Sequence, residues 1–299
     1  MELRNAGIQL PIIVLNPEEA SFDSFLKYNL EPEIYSIRLL QQFLDFLPKT
    51  TTQVPIHLKI DTGMHRLGFE EFDLPALLSL LTDKRIVVTS IFSHLAASDM
   101  PKHDEFTEQQ VAHFIRLSDT IIAQLPNCPY RHILNSNGIV RFPQYQFDMV
   151  RLGIGLYGID SSGLVQEQLT VVNTLKASIS QIKTVQNQET VGYNRSGKIA
   201  SNKRIATINI GYADGLARKA GNGRYQVGIQ GQLAPIIGNV CMDMCMVDIS
   251  AIPQAQVGDE VIIFGKQPTV EDLANCLETI PYEVFTGVSN RVKRIYYRE

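Results

Sequence analysis

The stretch Lys59-Ile60-Asp61-Thr62-Gly63-Met64-His65-Arg66-Leu67-Gly68 decides how this chain reads. An apolar-rich strand pattern, Ile56-His57-Leu58-Lys59-Ile60, runs straight into Asp-Thr-Gly. A lysine at the end of a buried strand needs a partner, because an isolated buried ammonium is costly. Arg66, seven residues further on, carries a planar fork suited to a carboxylate or a carbamate. Two long cations thus flank one turn at the end of a strand.

Working outward, strand-like and helix-like segments alternate through the first half. Residues 11–15 are a short apolar run, 22–28 read as a helix and 33–37 as a strand. Residues 38–47 have apolar side chains at helical spacing, 56–60 are the next strand, and 74–82 are helical. Residues 86–92 form a strand ending at Ser93-His94, 106–125 a long amphipathic helix, 131–134 a strand ending at Asn135-Ser136, and 149–154 the last strand. Alternation of this kind implies a parallel sheet with right-handed crossovers. Polar residues cluster at strand C-terminal ends: Arg66, His94, Asn135-Ser136 and Arg151. That is where a (β/α)8 barrel carries its active site. The expected fold is α/β plus β: an incomplete TIM barrel, with about six of its eight strands, over residues 1–160. Composition then shifts at Gly158-Ile159-Asp160-Ser161-Ser162-Gly163, and residues 161–299 read as a mainly β domain. Its strands are expected at 171–185, 204–210, 225–229, 246–249, 260–264 and 294–297, with one helix at 270–277 entered through Thr269 as N-cap.

Bulk composition excludes several classes. The chain has 299 residues, 44% hydrophobic and 19% charged, with a formal net charge of -4. No basic patch dominates, so no nucleic-acid partner is expected. No run approaches the ~20 apolar residues of a membrane span. Cys128, Cys241, Cys245 and Cys276 are too few and too scattered for a disulfide scaffold, and read as free thiols of a reducing cytosol. His94, Asp99, His103 and Asp104 fit no ligand spacing, so no metal is expected. Residues 1–7 look like the last turns of a helix stopped at Gly7.

Seven runs in order carry a family resemblance. Lys59 to Gly68 is similar to the K-x-D-T-G-M-x-R-L-G signature of alanine racemases. Asn135-Ser136, Val150-Arg151-Leu152-Gly153-Ile154-Gly155-Leu156-Tyr157-Gly158, Val191-Gly192-Tyr193, Ile210-Gly211-Tyr212-Ala213-Asp214-Gly215, Gly238-Asn239-Val240-Cys241-Met242-Asp243 and Arg291-Val292-Lys293-Arg294-Ile295-Tyr296 resemble further motifs of that family. The resemblance spans nearly the whole chain. It implies an isomerase that interconverts L-alanine and D-alanine with pyridoxal 5'-phosphate, provides D-alanine for peptidoglycan precursors, and works as a cytoplasmic head-to-tail homodimer. Racemisation removes a Cα proton from one face and returns one to the other, so it needs two acid/base groups on opposite sides. The family uses the cofactor-linked lysine and a tyrosine from the partner subunit, and the tyrosine maps to Tyr193. A phenol, pKa ~10, is a poor base near pH 7 and needs cationic surroundings.

By the same mapping Arg151 faces the cofactor's ring nitrogen, supported by His94. An arginine stays protonated, so the ring nitrogen does not, which limits electron withdrawal. Asn135, Ser136, Gly153 and Ile154 form the phosphate cradle. Lys59 maps to a lysine carbamylated in many relatives, where it holds the arginine that corresponds to Arg66. Arg66 and Met242 are mapped to the substrate carboxylate, and Tyr212 to the mouth of the site. Asn290 stands where the family often has a tyrosine reaching the phosphate. The family's V-K-A-x-A-Y-G-H-G run, which carries the cofactor lysine on the first barrel strand, does not occur. The chain is therefore expected to be an N-terminally truncated racemase, inactive alone, whose parent is sometimes fused to a cell-wall peptide ligase. The competing expectations are a non-catalytic racemase-like protein that binds a partner, and a decarboxylase of the same two-domain fold.

Overall fold

The computed structural model describes residues 1–51 and 53–296. The chain forms two compact units, Met1–Leu169 and a second beginning at Thr170. The first is a TIM-barrel-like α/β unit and the second is mainly β.

In the first unit the strands β1 (Ile13–Val14), β2 (Glu31–Ile34), β3 (Val54–Lys59), β4 (Ile86–Phe92) and β5 (Tyr130–His132) lie side by side in chain order, every neighbouring pair parallel. Parallel neighbours need crossovers, and helices supply them. α1 (Glu2–Asn5) precedes β1, and α2 (Phe22–Tyr28), α3 (Ile37–Phe46), α4 (Leu74–Leu80) and α5 (Asp104–Ile122) join successive strands. α6 (Ser136–Arg141) follows β5. Local chemistry sets their ends. Ser36 caps α3 through Leu39 N at 3.2 Å, and Asn29 closes α2 in the left-handed region. α1 ends as its sequence suggested: Gly7 N donates to Arg4 O and Ile8 N to Leu3 O, with Gly7 at φ +87. Ile34, Ile56, Leu58 and Ile91 from the sheet pack with Leu40, Phe43, Leu77 and Phe114 from the helices in one buried core.

The expected sixth strand is corrected. Residues 149–154 form no ladder; the backbone bonds Asp148 N to Arg131 O (3.1 Å) and Arg151 N to Leu134 O (3.0 Å) run alongside β5 and its exit without making one. Gly153, at φ -110 and ψ -101, then takes the chain out of extended geometry into a short 3-10 turn, Ile154–Tyr157. Five strands therefore make the sheet among the described residues.

The second unit is built from β6 (Leu175–Val185), β7 (Thr190–Val191), β8 (Gly197–Lys198), β9 (Lys203–Ile208), β10 (Gln226–Ile229), β11 (Gln232–Ile237), β12 (Cys245–Asp248) and β13 (Glu260–Phe264). Six of these close into an antiparallel barrel, β10-β11-β12-β9-β6-β13, and β7 and β8 form a separate hairpin. β11 was not anticipated. Pro235 argues against a strand, yet Gln230 and Gly231, both at positive φ, make a tight hairpin turn that folds β11 back on β10. α7 (Val270–Leu277) has the expected Thr269 cap, Asp272 N to Oγ1 at 3.1 Å, and is followed by α8 (Pro281–Gly287). Residues 294–296 are not a strand, and Tyr297 lies outside the described residues.

Candidate active site

Parallel pairing brings alternate residues of β2 to β5 onto one face of the sheet. Glu33 pairs with His57, His57 with Ser90, and Phe92 with His132. The intervening residues, Ile56, Leu58 and Ile91, face the helix-covered core. The polar face is nonetheless buried: Glu33, His57, Ser90 and His132 are at most 2% exposed. Lys59, 7% exposed, has the partner its position demanded: its Nζ lies 3.0 Å from Glu33 Oε1. Asn16 N donates to the other oxygen, Glu33 Oε2, at 2.6 Å.

Arg151 reaches the same region from the segment after β5. Its Nη1 donates to His132 Nδ1 at 2.6 Å, and its Nη2 donates to Ser93 O at 2.6 Å, Ile133 O at 3.1 Å and His94 Nδ1 at 3.3 Å. Phe92 stacks on His132, ring centroids 4.8 Å apart, and lies under the Arg151 guanidinium. Burial pulls Arg151 down to about 10, opposed by the charge of Glu33. Burial, with Arg151 beside it, lowers His132 to about 3. His94 falls to about 4 through burial and then the positive charges of Arg151, Arg66 and Lys59. Both imidazoles are therefore neutral at pH 7 and accept from the arginine.

Arg66 sits on an exposed loop that leaves β3 and returns to it. Phe69 N donates to Lys59 O at 2.8 Å, and Asp61 Oδ1 holds the loop by accepting from Gly63 N and His65 N. Gly68 permits the return: at φ +140, a Cβ there would lie 2.4 Å from Asp61 N. Asn135 is the N-cap of α6, its Oδ1 accepting from Gly138 N at 2.9 Å and from Ser98 Oγ at 2.7 Å. The next hydroxyl, Ser136 Oγ, accepts from Gly153 N at 2.8 Å and Gly155 N at 3.3 Å. Ile154 is buried between these two glycines. The structure thus gathers Lys59, His94 and Arg151 in one cluster, with Arg66 in electrostatic reach, and Asn135, Ser136, Gly153 and Ile154 in another.

Within the second unit, Tyr193, Tyr212 and Met242 line one cavity of about 380 Å³ with Asn194, Arg218, Val240 and Cys241. Tyr193 is 68% exposed, on a 3-10 turn after the β7 strand. Tyr212 and Met242 are brought together by backbone: Tyr212 N donates to Cys241 O, and Ala213 N to Met242 O, both at 3.0 Å. Only glycine fits at 211, since a Cβ would lie 2.3 Å from Met242 O. Arg291 clamps the two loops, Nε to Asp214 Oδ1 at 2.7 Å and Nη2 to Asp243 Oδ1 at 2.6 Å.

Both units match models of known protein domains. The alanine racemase N-terminal domain matches residues 1–161, and the alanine racemase C-terminal domain matches residues 172–296. Alanine racemase 1 of Clostridium acetobutylicum is 36% identical over 308 residues, covering 100% of this chain and 79% of its own length. The chain belongs to the alanine racemase family. Among solved structures, the alanine racemase of Streptomyces lavendulae superposes with a TM-score of 0.93 at 29% identity, over 100% of this chain and 81% of that one. That of Bartonella henselae, solved with covalently bound pyridoxal phosphate, gives 0.88 at 30% identity over 98% and 81%.

An alanine racemase calls for a site that takes a pyridine ring and a phosphate, and the residues of the first unit fit both. The N–H groups of Gly153 and Gly155 converge on Ser136 Oγ, and the backbone turns tightly there: a Cβ at Gly155 would stand 2.8 Å from Leu152 Cδ1. Hydroxyl and backbone N–H donors suit a phosphate monoester. Arg151 offers a permanent donor to a ring nitrogen. Sequence reasoning missed Glu31, Glu33, His57, Ser90 and His132. Their signal was a polar residue at alternate positions inside apolar strand runs, which acquires meaning only when the register places them side by side.

Proposed function

We propose that this chain carries an alanine-racemising site, interconverting L-alanine and D-alanine with pyridoxal 5'-phosphate and so providing D-alanine for peptidoglycan precursors. The single observation that carries the reading is Arg151. Its guanidinium is surrounded by acceptors from Ser93, Ile133, His94 and His132, which hold it as a fixed donor. Arg151 would hold the ring nitrogen, and Asn135, Ser136, Gly153 and Ile154 the phosphate. When bound, the cofactor supplies the conjugated ring that takes up the electron pair left at Cα.

The chain's own residues then do the rest. Tyr193 Oη moves the Cα proton on one face, the face that handles L-alanine. Arg66 and Met242 orient the substrate carboxylate, and Tyr212 narrows the mouth. Lys59 and its anionic partner Glu33 keep a neutral pair beside Arg151. Tyr193, Tyr212, Met242 and Met244, 46–68% exposed, form an aromatic and thioether surface of the kind that marks an interaction site. It suits a head-to-tail homodimer in which this surface serves the partner's cofactor unit. The 299 residues contain no V-K-A-like run, and Lys59, the lysine on the buried sheet face, is engaged by Glu33. Residues 1–299 by themselves are expected to form no covalent link to the cofactor.

The test is solvent deuterium entry at Cα of alanine in D2O. A chimera that places ahead of Met1 a V-K-A-x-A-Y-G-H-G strand of the kind the family resemblance implies should incorporate deuterium and racemise. Residues 1–299 alone should do neither and should trap no pyridoxal phosphate with borohydride. A chimera that folds and binds the cofactor but does not exchange the proton would overturn the reading.

A further inference from the structure

A chain of hydrogen bonds crosses the buried sheet face, one residue per strand, and ends on Arg151. From β2, Glu31 Oε2 lies 2.7 Å from His57 Nε2 on β3. His57 Nδ1 lies 2.7 Å from Ser90 Oγ on β4, and Ser90 Oγ lies 3.0 Å from His132 Nε2 on β5. His132 Nδ1 accepts from Arg151 Nη1 at 2.6 Å. Each link has only one sensible direction. A guanidinium donates and never accepts, so His132 Nδ1 carries no proton and its Nε2 does. That N–H donates to Ser90 Oγ. The serine proton then has one remaining acceptor in the chain, His57 Nδ1, which leaves the proton of His57 on Nε2, pointing at the Glu31 carboxylate. Burial lowers His57 against the pull of Glu31. A cation at one end and an anion at the other are thus joined by neutral groups that all point one way.

We propose that Glu31, His57, Ser90 and His132 are positioning residues that fix the orientation and donor role of Arg151 through this directed relay. None of them touches the reacting atoms. The reverse direction is closed, because it would place a proton on His132 Nδ1 against the arginine's own N–H. Glu31, with 15% of its side chain exposed, is the anchor: its negative charge stabilises the chain's polarity. The consequence for the ring nitrogen rests on the proposed racemase reading; the tautomers do not.

Histidine ring-15N NMR on the protein reads those tautomers directly. The expected spectrum has His57 and His132 both neutral, each protonated at Nε2. Ser90→Ala should leave His132 pinned by Arg151 but release His57 into a tautomer mixture, and Ser90→Thr should restore the single form. Glu31→Gln, isosteric and uncharged, serves where Ser90→Ala does not fold, and should also loosen His57. In the racemising chimera, Ser90→Ala should lower kcat about 10-fold or more, with KM little changed and Ser90→Thr recovering it. A proton on His132 Nδ1, or a His57 signal indifferent to both substitutions, overturns the relay. Intact tautomer shifts with an unchanged kcat overturn its action on Arg151. Failure of the racemase reading would leave the NMR result standing, so the two are separable.

Discussion

Replacing Glu33 by glutamine probes the buried charge pair that organises the candidate site. Glu33 and Lys59 expose 1% and 9% of their side chains, and their charged atoms are 3.0 Å apart. Removing one partner of a buried pair typically costs ~3–5 kcal/mol, because the other charge is left uncompensated. The geometry argues for the full effect here. The two carboxylate oxygens face two donors, Lys59 Nζ and Asn16 N, whereas glutamine offers one oxygen and one NH2. One donor would be left facing another, and Arg151 would lose the Glu33 charge that opposes the effect of its burial. For a unit of this size 1 kcal/mol corresponds to ~2–4 °C, so Glu33→Gln should lower the melting temperature of the first unit by roughly 6–20 °C. The paired change Glu33→Leu with Lys59→Met should recover most of the loss. Differential scanning calorimetry of the three variants measures it. A Glu33→Gln protein that melts within ~2 °C of the parent would refute the buried-pair reasoning.

The remaining predictions use other parts of the structure. In the racemising chimera, Arg151→Lys should give a slower enzyme with more transamination product, since a lysine can lose its proton; keto-acid formation per turnover measures it. Gly68→Ala should destabilise the first unit by several kcal/mol in urea unfolding, because its Cβ meets Asp61 N at 2.4 Å at a backbone φ of +140. His132 is held neutral at about 3 against 6.5 in the unfolded chain. The unfolded state then binds more protons between those values, so this histidine's contribution is full above pH 6.5 and lost as pH falls towards 3. Its slope is about 1.4 kcal/mol per pH unit, and His132→Gln should flatten the acid limb of a stability–pH profile by roughly that amount.

What the sequence disclosed follows from where local rules act. Apolar periodicity located α3 and α5, and the cap at Thr269 located α7, because those signals lie within one element. The Lys59 to Gly68 run announced a loop with two cations, and the structure supplies the Asp61 hydrogen bonds that hold it. The order of the β barrel, and the relay from Glu31 to His132, depend on which strands neighbour one another. His57 alone reads as an ordinary core histidine; only pairing with Ser90 and Glu31 gives it a role. The segment 149–154 looked like a strand because it is apolar, but Gly153 turns its backbone away before a ladder forms. β11 was hidden by Pro235, which nonetheless sits in register opposite Gln226 of β10.

The central claim is that this chain's residues handle the Cα proton of alanine, with Tyr193 acting on one face. The most direct measurement is deuterium entry and stereochemical conversion for each alanine enantiomer in D2O, comparing the chimera with its Tyr193→Phe variant. The account predicts that the variant keeps its cofactor absorbance and loses racemisation by at least ~10²–10⁴-fold, the range of a required general base. Near-parental racemisation in both directions by Tyr193→Phe would contradict it.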